Sequence, residues 1–499
     1  MSERPAHGDD VASRHDAPVK MVSGELSETL ETGGLERVFV REPTHRMTFH
    51  VALTAGGQVE TSALRKAWLA TVARHHRLRG PLSSDLRRFR TDVDDAEKRR
   101  RIEACWNEHE GSATDDTKDF VHPIAGPPVS LRLRTQGDRS VLEFAFHHAV
   151  CDGIGASRLI YETLRTLAGR PIHLTEAGSI AEESAAPEEI QKSEEPSLSI
   201  TTKWKHFRVT TRGHNAKLPH HLAIGHRSGD PEHATSSEVG CRVDSRLRSF
   251  RGNPVACLTR SQTNKILDGC RRGCMPLNDL AVASAIGAVS SMLCDKSKRH
   301  VCVMNPVDRR HWKDRRKIHN HLGLAFIRRE MHQAVDPRSL LDGVHEQLRY
   351  VREHDVSGEF ESTLTALEKI PMAVKMLRRS GWFAPTFSLT CLSNLQFGAR
   401  SGTRNREIGG DHGDPDLIGS FLHHPLYALD VAPPLPPQCS TALAIWRCGH
   451  RISLSVRTTE AESAKFWPSE LLRRWSESLE NYAGRELPRI PQQPSHPHP

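Results

Sequence analysis

Two short alternating segments with a helical repeat directly behind them constrain this chain more than any other feature. In VSLRLRT and SVLEFAFHH the apolar residues Val129, Leu131 and Leu133, then Leu142, Phe144 and Phe146, fall at every second position around the turn QGDR. That period of two predicts antiparallel strands with one buried face. The second strand runs straight into HHAVCDG, after which IGASRLIYETLRTLAG returns to helical spacing through Leu159, Ile160, Leu164 and Leu167. Strand, polar loop and helix in that order call for a sheet layered against helices.

The pattern recurs along the chain. SALRKAWLATVARHHRLRG places Leu64, Ala67, Trp68 and Val72 on one helical face, with Ser62 as its expected N-cap and Gly80 after its end. PLNDLAVASAIGAVSSML predicts a closely packed helix capped by Asn278, and HVCVMNPVDRRHW a short buried strand ending in a charged loop. FSLTCLSNLQFG, ALAIWRC and RISLSVRT, the last two joined through Gly449, predict further strands. Asn278 and Asn394 are expected to cap or bridge backbone. No period of 20 to 50 residues repeats, which excludes a solenoid.

Between these two groups lies LTEAGSIAEESAAPEEIQKSEEPSLSI, with seven Glu, one Lys and few apolar residues. It predicts a linker or long surface loop. The expected organisation is a tail at 1–22, a first lobe at 23–173, an acidic linker at 174–202, a second lobe at 203–486 and a Pro-rich tail at 487–499. The acidic segment has a local balance of −6, which leaves the rest of the chain at +14 against a total of +8. Nucleic acid, an anionic small ligand or an acidic protein would each answer that charge. No helix-turn-helix, zinc finger or aromatic-studded RNA-binding motif accompanies it, which counts against nucleic acid. No stretch approaches the ~18 apolar residues of a membrane span, and the first residues carry no signal-peptide pattern, so a soluble cytoplasmic protein is expected. The 11 cysteines are scattered without a CxxC. Reduced thiols are expected, not a disulfide framework or zinc site; Cys270 and Cys274 would share one face if their segment is helical.

HHAVCDG carries the chemistry. His takes a proton readily near neutral pH and can deprotonate a hydroxyl or amine attacking a carbonyl. His148 is the candidate base. Neighbours on an extended backbone point to opposite faces, so of His147 and His148 one should face the site and the other pack. Asp152 could fix the loop by pairing with an Arg, and Gly153 could provide a positive φ or a close backbone approach.

HHAVCDG resembles the motif of the HHxxxDG acyltransferases, which share the chloramphenicol acetyltransferase-like fold and include condensation domains, polyketide-associated acyltransferases, alcohol acetyltransferases and wax ester synthases. The resemblance covers roughly residues 23–480. ARHHRLRG is similar to the RHxxLR end of the family's first-lobe helix, NDLAVASAIGAV to its Asn-Asp-led helix, NPVDRR to its PVDLR loop and LSNLQFG to its Ser-Asn strand end. The DFGWG segment of plant members is absent, as are an adenylation motif and a carrier-type Gly-Asp-Ser site. The resemblance implies an α/β architecture of two such lobes forming a pseudo-dimer with a tunnel between them. It implies an acyltransferase moving an acyl group from a thioester to a hydroxyl or amine, the donor being acyl-CoA or a phosphopantetheine-linked chain on a carrier protein in trans. His148 would be the general base, with His147, Asp152 and Gly153 in support and Arg310 bridging to Asp152, although Arg309 stands where the family has Leu. No metal and no permanently bound cofactor is implied, and a monomer is expected. The cluster Lys313, Arg315 and Arg316 could attract coenzyme A phosphates or an acidic carrier. A catalytically inactive binding or adaptor protein on the same fold is the alternative.

Three further strings receive plainer readings. KRRR at 98–101 is expected to be an exposed helix face. HNH at 319–321 lacks nuclease context and is set aside. His423, His424 and the terminal SHPHP lack partners at metal-ligand spacing.

Overall fold

Alternation decides the layering here. The computed structural model describes residues 30–107, 121–170, 253–292, 300–311, 317–330, 336–370, 372–373, 375–376, 385–395, 418–421, 424–459 and 467–484. The expected tails at 1–22 and 487–499 and the acidic linker lie outside the described residues. The first part of the chain forms α1 (Gly34–Val40), β1 (Thr48–Gly56), α2 (Thr61–Arg74), α3 (Asp95–Glu103), β2 (Trp106–Asn107), β3 (Val129–Gln136), β4 (Arg139–His147) and α4 (Gly153–Leu167). The second forms β5 (Val255–Cys257), α5 (Arg260–Arg272), α6 (Leu277–Met292), β6 (His300–Asp308), β7 (Leu322–Glu330), α7 (Pro337–Glu353) and α8 (Ser357–Leu367). It continues through β8 (Phe387–Leu395), β9 (Gly419–Phe421), β10 (His424–Ala432), β11 (Thr441–Cys448), β12 (Arg451–Thr458) and α9 (Trp467–Gly484).

The strands make two six-stranded sheets, ordered β2-β3-β4-β1-β10-β9 and β5-β12-β11-β8-β6-β7. The expected hairpin of β3 and β4 turns at Gly137, whose φ of +60° suits a residue without Cβ. β4 runs antiparallel to β1 with Thr48 opposite His147, and Phe49, Val51 and Leu53 of β1 stand opposite Phe146, Phe144 and Leu142. This apolar face packs on α2, where Trp68 meets Phe144 edge-on at 5.6 Å, and α2 in turn packs against α4. The other edge of β1 is closed by β10. Residues 419–432, inside the expected second lobe, therefore complete the sheet of the first.

The second sheet is buried on both faces, and its side-chain alternation divides two cores. Val301, Val303, Ala325, Ile327, Leu443 and Ile445 face α5, α6, α7 and α9, whereas Cys302, Met304, Leu324, Phe326, Ala444 and Trp446 join the core of the first lobe. That second set joins the lobes through one apolar cluster.

Several local expectations shift. The residue before α2 is Glu60, so Ser62 lies inside the helix. Asn278 likewise lies within α6 and exchanges paired amide hydrogen bonds of 3.0 Å with Asn305 on β6, tying helix to sheet. α5 ends before Cys274, which sits at φ +50° and so does not share a helical face with Cys270. In KRRR, Arg101 is buried and donates to the carbonyls of Pro123, Ile124 and Gly126. The described cysteines are all free. No helix among the described residues is long and apolar enough to cross a membrane.

Candidate active site

β4 ends at His147, and the loop that follows is built by its own backbone. The His148 amide donates to the Met47 carbonyl at 2.9 Å, and the Val150 amide donates to the His147 carbonyl at 2.9 Å, so the strand stops at His147 and the chain turns at His148 and Ala149. That turn separates their surroundings. His147 is sealed in the interior, accepting at Nδ1 from the Ala149 amide at 3.2 Å, and burial pushes its imidazole down to about 3. His148 is packed between Phe39, stacked at 4.8 Å, and Phe49, edge-on at 5.5 Å. Its Nδ1 lies 3.3 Å from the Cys151 carbonyl. A carbonyl only accepts, so Nδ1 carries the proton of the neutral ring and Nε2 keeps its lone pair. Burial holds the imidazole below its ordinary 6.5, opposed by the negative charge of Asp152.

Asp152 joins the lobes. It is the N-cap of α4, accepting from the Gly155 amide at 2.9 Å, and it is fully buried. The same Oδ1 accepts from Arg310 Nη2 at 2.8 Å, and Oδ2 accepts from the His321 amide at 3.1 Å. Arg310 also donates to the His319 carbonyl at 2.6 Å and reaches Asp308 at 3.2 Å. The Arg310 guanidinium beside it holds the Asp152 carboxyl below the usual carboxylate range despite its burial. Arg309 turns the other way, to Asp355 at 3.3 Å.

The string HNH supplies the second half of this brace. Besides the backbone contacts of His319 and His321, Asn320 donates through Nδ2 to the His148 carbonyl at 2.9 Å, and the same nitrogen lies 3.4 Å from His148 Nδ1. The segment fits against α4 because Gly155 has no side chain: a Cβ there would stand 2.1 Å from the Ile318 carbonyl oxygen. Gly153 opens the helix with an ordinary negative φ, and the nearest atom to a Cβ there is the side-chain Cδ2 of Leu392 at 2.9 Å. The close backbone approach expected at Gly153 thus falls on Gly155. The end of α2 lies close by: His75 Nε2 meets Glu162 of α4 at 3.0 Å, and Arg77 pairs with Glu36 of α1 at 2.8 Å.

His148 lines a cavity that opens to solvent. Its walls come from both lobes, α1 on one side and β6, β7, β8 and α8 on the other, with the segment 434–438 closing it. His148 Nε2 makes no hydrogen bond among the described residues, so the unprotonated nitrogen is the polar atom this imidazole offers to the chamber.

No family model matches the chain, and neither does any curated protein. Solved structures match over nearly its whole length. The epimerization domain from the third module of tyrocidine synthetase B is 16% identical at a TM-score of 0.52, covering 89% of this chain and 92% of that one. The trichothecene 15-O-acetyltransferase of Fusarium sporotrichioides is 12% identical at a TM-score of 0.55, covering 91% and 94%. The first condensation domain of the calcium-dependent antibiotic synthetase, solved with a substrate analogue, is 12% identical at 0.55, covering 93% and 98%. The fold of this chain is the one shared by these epimerization, acetyltransferase and condensation domains.

Within this condensation-type fold the structure brings His148, His147, Asp152, Gly153 and Arg310 together at the lobe boundary. Lys313, Arg315 and Arg316, the expected donor-binding cluster, lie outside the described residues, as does His423. His424 is spent on a contact with the Gly56 carbonyl at 2.8 Å. Among the described residues no group of His, Cys, Asp and Glu is arranged to hold a metal ion. Sequence spacing gives no role to Glu36, Glu162 or the HNH segment. Their partners are 41, 87 and about 170 residues away, and nothing in local spacing announces them.

Proposed function

We propose that this protein is an acyltransferase that moves an acyl group from a thioester, on coenzyme A or on the phosphopantetheine arm of a carrier protein, to a hydroxyl or amine acceptor. The observation that carries this reading is His148: a buried, neutral imidazole whose Nδ1 proton is directed to the Cys151 carbonyl and which lines an inter-lobe cavity. In the proposed step Nε2 removes the acceptor proton as the oxygen or nitrogen attacks the thioester carbonyl, giving a tetrahedral oxyanion. Collapse breaks the carbon–sulfur bond, and the departing thiolate takes the proton back from Nε2. The residues around the imidazole bind and orient; none of them needs to change charge during the cycle.

The test is a panel of acyl-CoA and carrier-bound thioesters offered with alcohol and amine acceptors, read by free-thiol release and by the mass of the acylated acceptor. Acceptor-dependent thiol release with a matching product mass is expected. Acceptor-independent hydrolysis, or no turnover with any pair, would sink the acyltransferase reading and leave an adaptor on the same fold.

Asn320 is the positioning residue to test beside it. Asn320→Ala removes one hydrogen bond to the loop, an expected loss of about 1 kcal/mol of stability, while misplacing the imidazole is expected to lower turnover by up to about 100-fold. Thermal unfolding and steady-state kinetics separate the two effects; unchanged kcat would remove Asn320 from this role.

A further inference from the structure

We infer that the chamber beside His148 takes an uncharged hydrocarbon group, and that it rejects a cationic aminoacyl group. The inference rests on the acyltransferase reading of that site and names the class of group it would handle. Three elements each turn one apolar stripe to the chamber. α1 presents Leu35, Val38 and Phe39 at helical spacing, α8 presents Phe360 and Leu364, and β7 contributes alternate residues of its inward face. Apart from His148, the polar side chains on the wall among the described residues are those of Ser388, Thr390 and Gln438; the described lining includes no Asp, Glu, Lys or Arg.

Three carboxylates on or beside these wall elements are ion-paired. Glu36 faces Arg77 at 2.8 Å, Glu368 takes Arg37 and Arg41, and Glu361 lies 3.7 Å from Arg309. An ammonium entering the chamber would lose its water and meet no counter-charge on the described lining, which disfavours it. A fatty chain would lose only unfavourable contact with water. The chain could arrive on the acyl donor or on an acceptor alcohol, and both share this chemistry.

The experiment uses the whole protein and the neutral fluorophore N-phenylnaphthylamine, displaced by decanol or by decylammonium near neutral pH. Decanol is expected to displace the probe at least about 100-fold more effectively than decylammonium. Thr390→Val should preserve that order. Thr390→Asp, which sets a carboxylate in the wall, should shift it toward decylammonium; if this variant does not fold, the wild-type and Thr390→Val comparison still decides. Equal displacement by the two ligands, or none by decanol from a folded protein, overturns the inference. Turnover then locates the chain: faster transfer from decanoyl than from acetyl thioesters places it on the donor, and acylation of decanol places it on the acceptor. A protein that binds decanol but turns over no thioester overturns the acyltransferase reading alone. One that transfers aminoacyl groups and ignores decanol overturns this inference alone.

Discussion

His148→Ala is expected to lower turnover by about 100- to 10,000-fold, the range a positioned general base supplies, while the protein stays folded. The imidazole packs against Phe39 and Phe49, and its Nδ1 lies near Asn320 Nδ2, but neither ring nitrogen bonds to Asp152 or Arg310, so that ion pair still links the lobes when the ring is removed. Binding of decanol should persist for the same reason. The pH dependence of the wild type supplies an independent check. The reactive form is the neutral ring, and burial places its pKa below 6.5. Activity should therefore be flat through neutral pH and fall only on the acid side of that value as the ring takes up a proton. Steady-state kinetics on the variant and a pH profile of kcat/KM measure both. A variant as active as the wild type would show that some other group takes the proton.

Asp152→Asn is expected to reduce stability and activity together. The Asp152 and Arg310 side chains are both fully buried, and removing one partner of such a pair costs about 3–5 kcal/mol because the other charge is left uncompensated. The amide retains an oxygen that can cap α4, so Asp152→Ala should be worse by the value of the cap, about 1 kcal/mol. The sign of the pH effect follows from the folded carboxyl lying below its ordinary 3.8. The contribution of Asp152 is fully present above 3.8 and is lost as the pH falls through the lower folded value. Denaturant unfolding at neutral pH and under acid conditions should show a smaller gap between wild type and variant at the acid end. A normally stable, fully active Asp152→Asn protein would remove the bracing role.

What could be read from sequence was local. The strand alternation of 129–147, the helical stripe after it and the loop between them each depend on neighbours along the chain, and the structure has them where spacing put them. The two-layer α/β architecture and the condensation-type fold followed from those patterns and a handful of short motifs. What was not legible depends on distant partners. HNH carries no local pattern, yet its three residues close the loop because β6 and β7 bring them across the lobe boundary. Gly155 looked like any helix glycine until the Ile318 carbonyl lay against it. Asn278 has the composition of a cap, but its amide was required by Asn305 on a strand 27 residues away. Arg101 sits in a run of like charges that would ordinarily be solvated, and the backbone carbonyls of Pro123, Ile124 and Gly126 draw it inward.

The closure of β1 by β10 bears on how the protein is made. Strand β1 begins at Thr48 and its partner ends at Ala432, so a central strand of the first sheet has one hydrogen-bonding edge open until β10 has also left the ribosome. During that interval the nascent chain holds a folded-looking hairpin beside an exposed apolar strand, a species prone to pairing with other chains. Slow, late assembly follows from such distant pairing. A fragment ending before residue 419 should therefore be insoluble even though it contains HHAVCDG complete, and the histidine motif cannot be studied on a first lobe cut away from the rest.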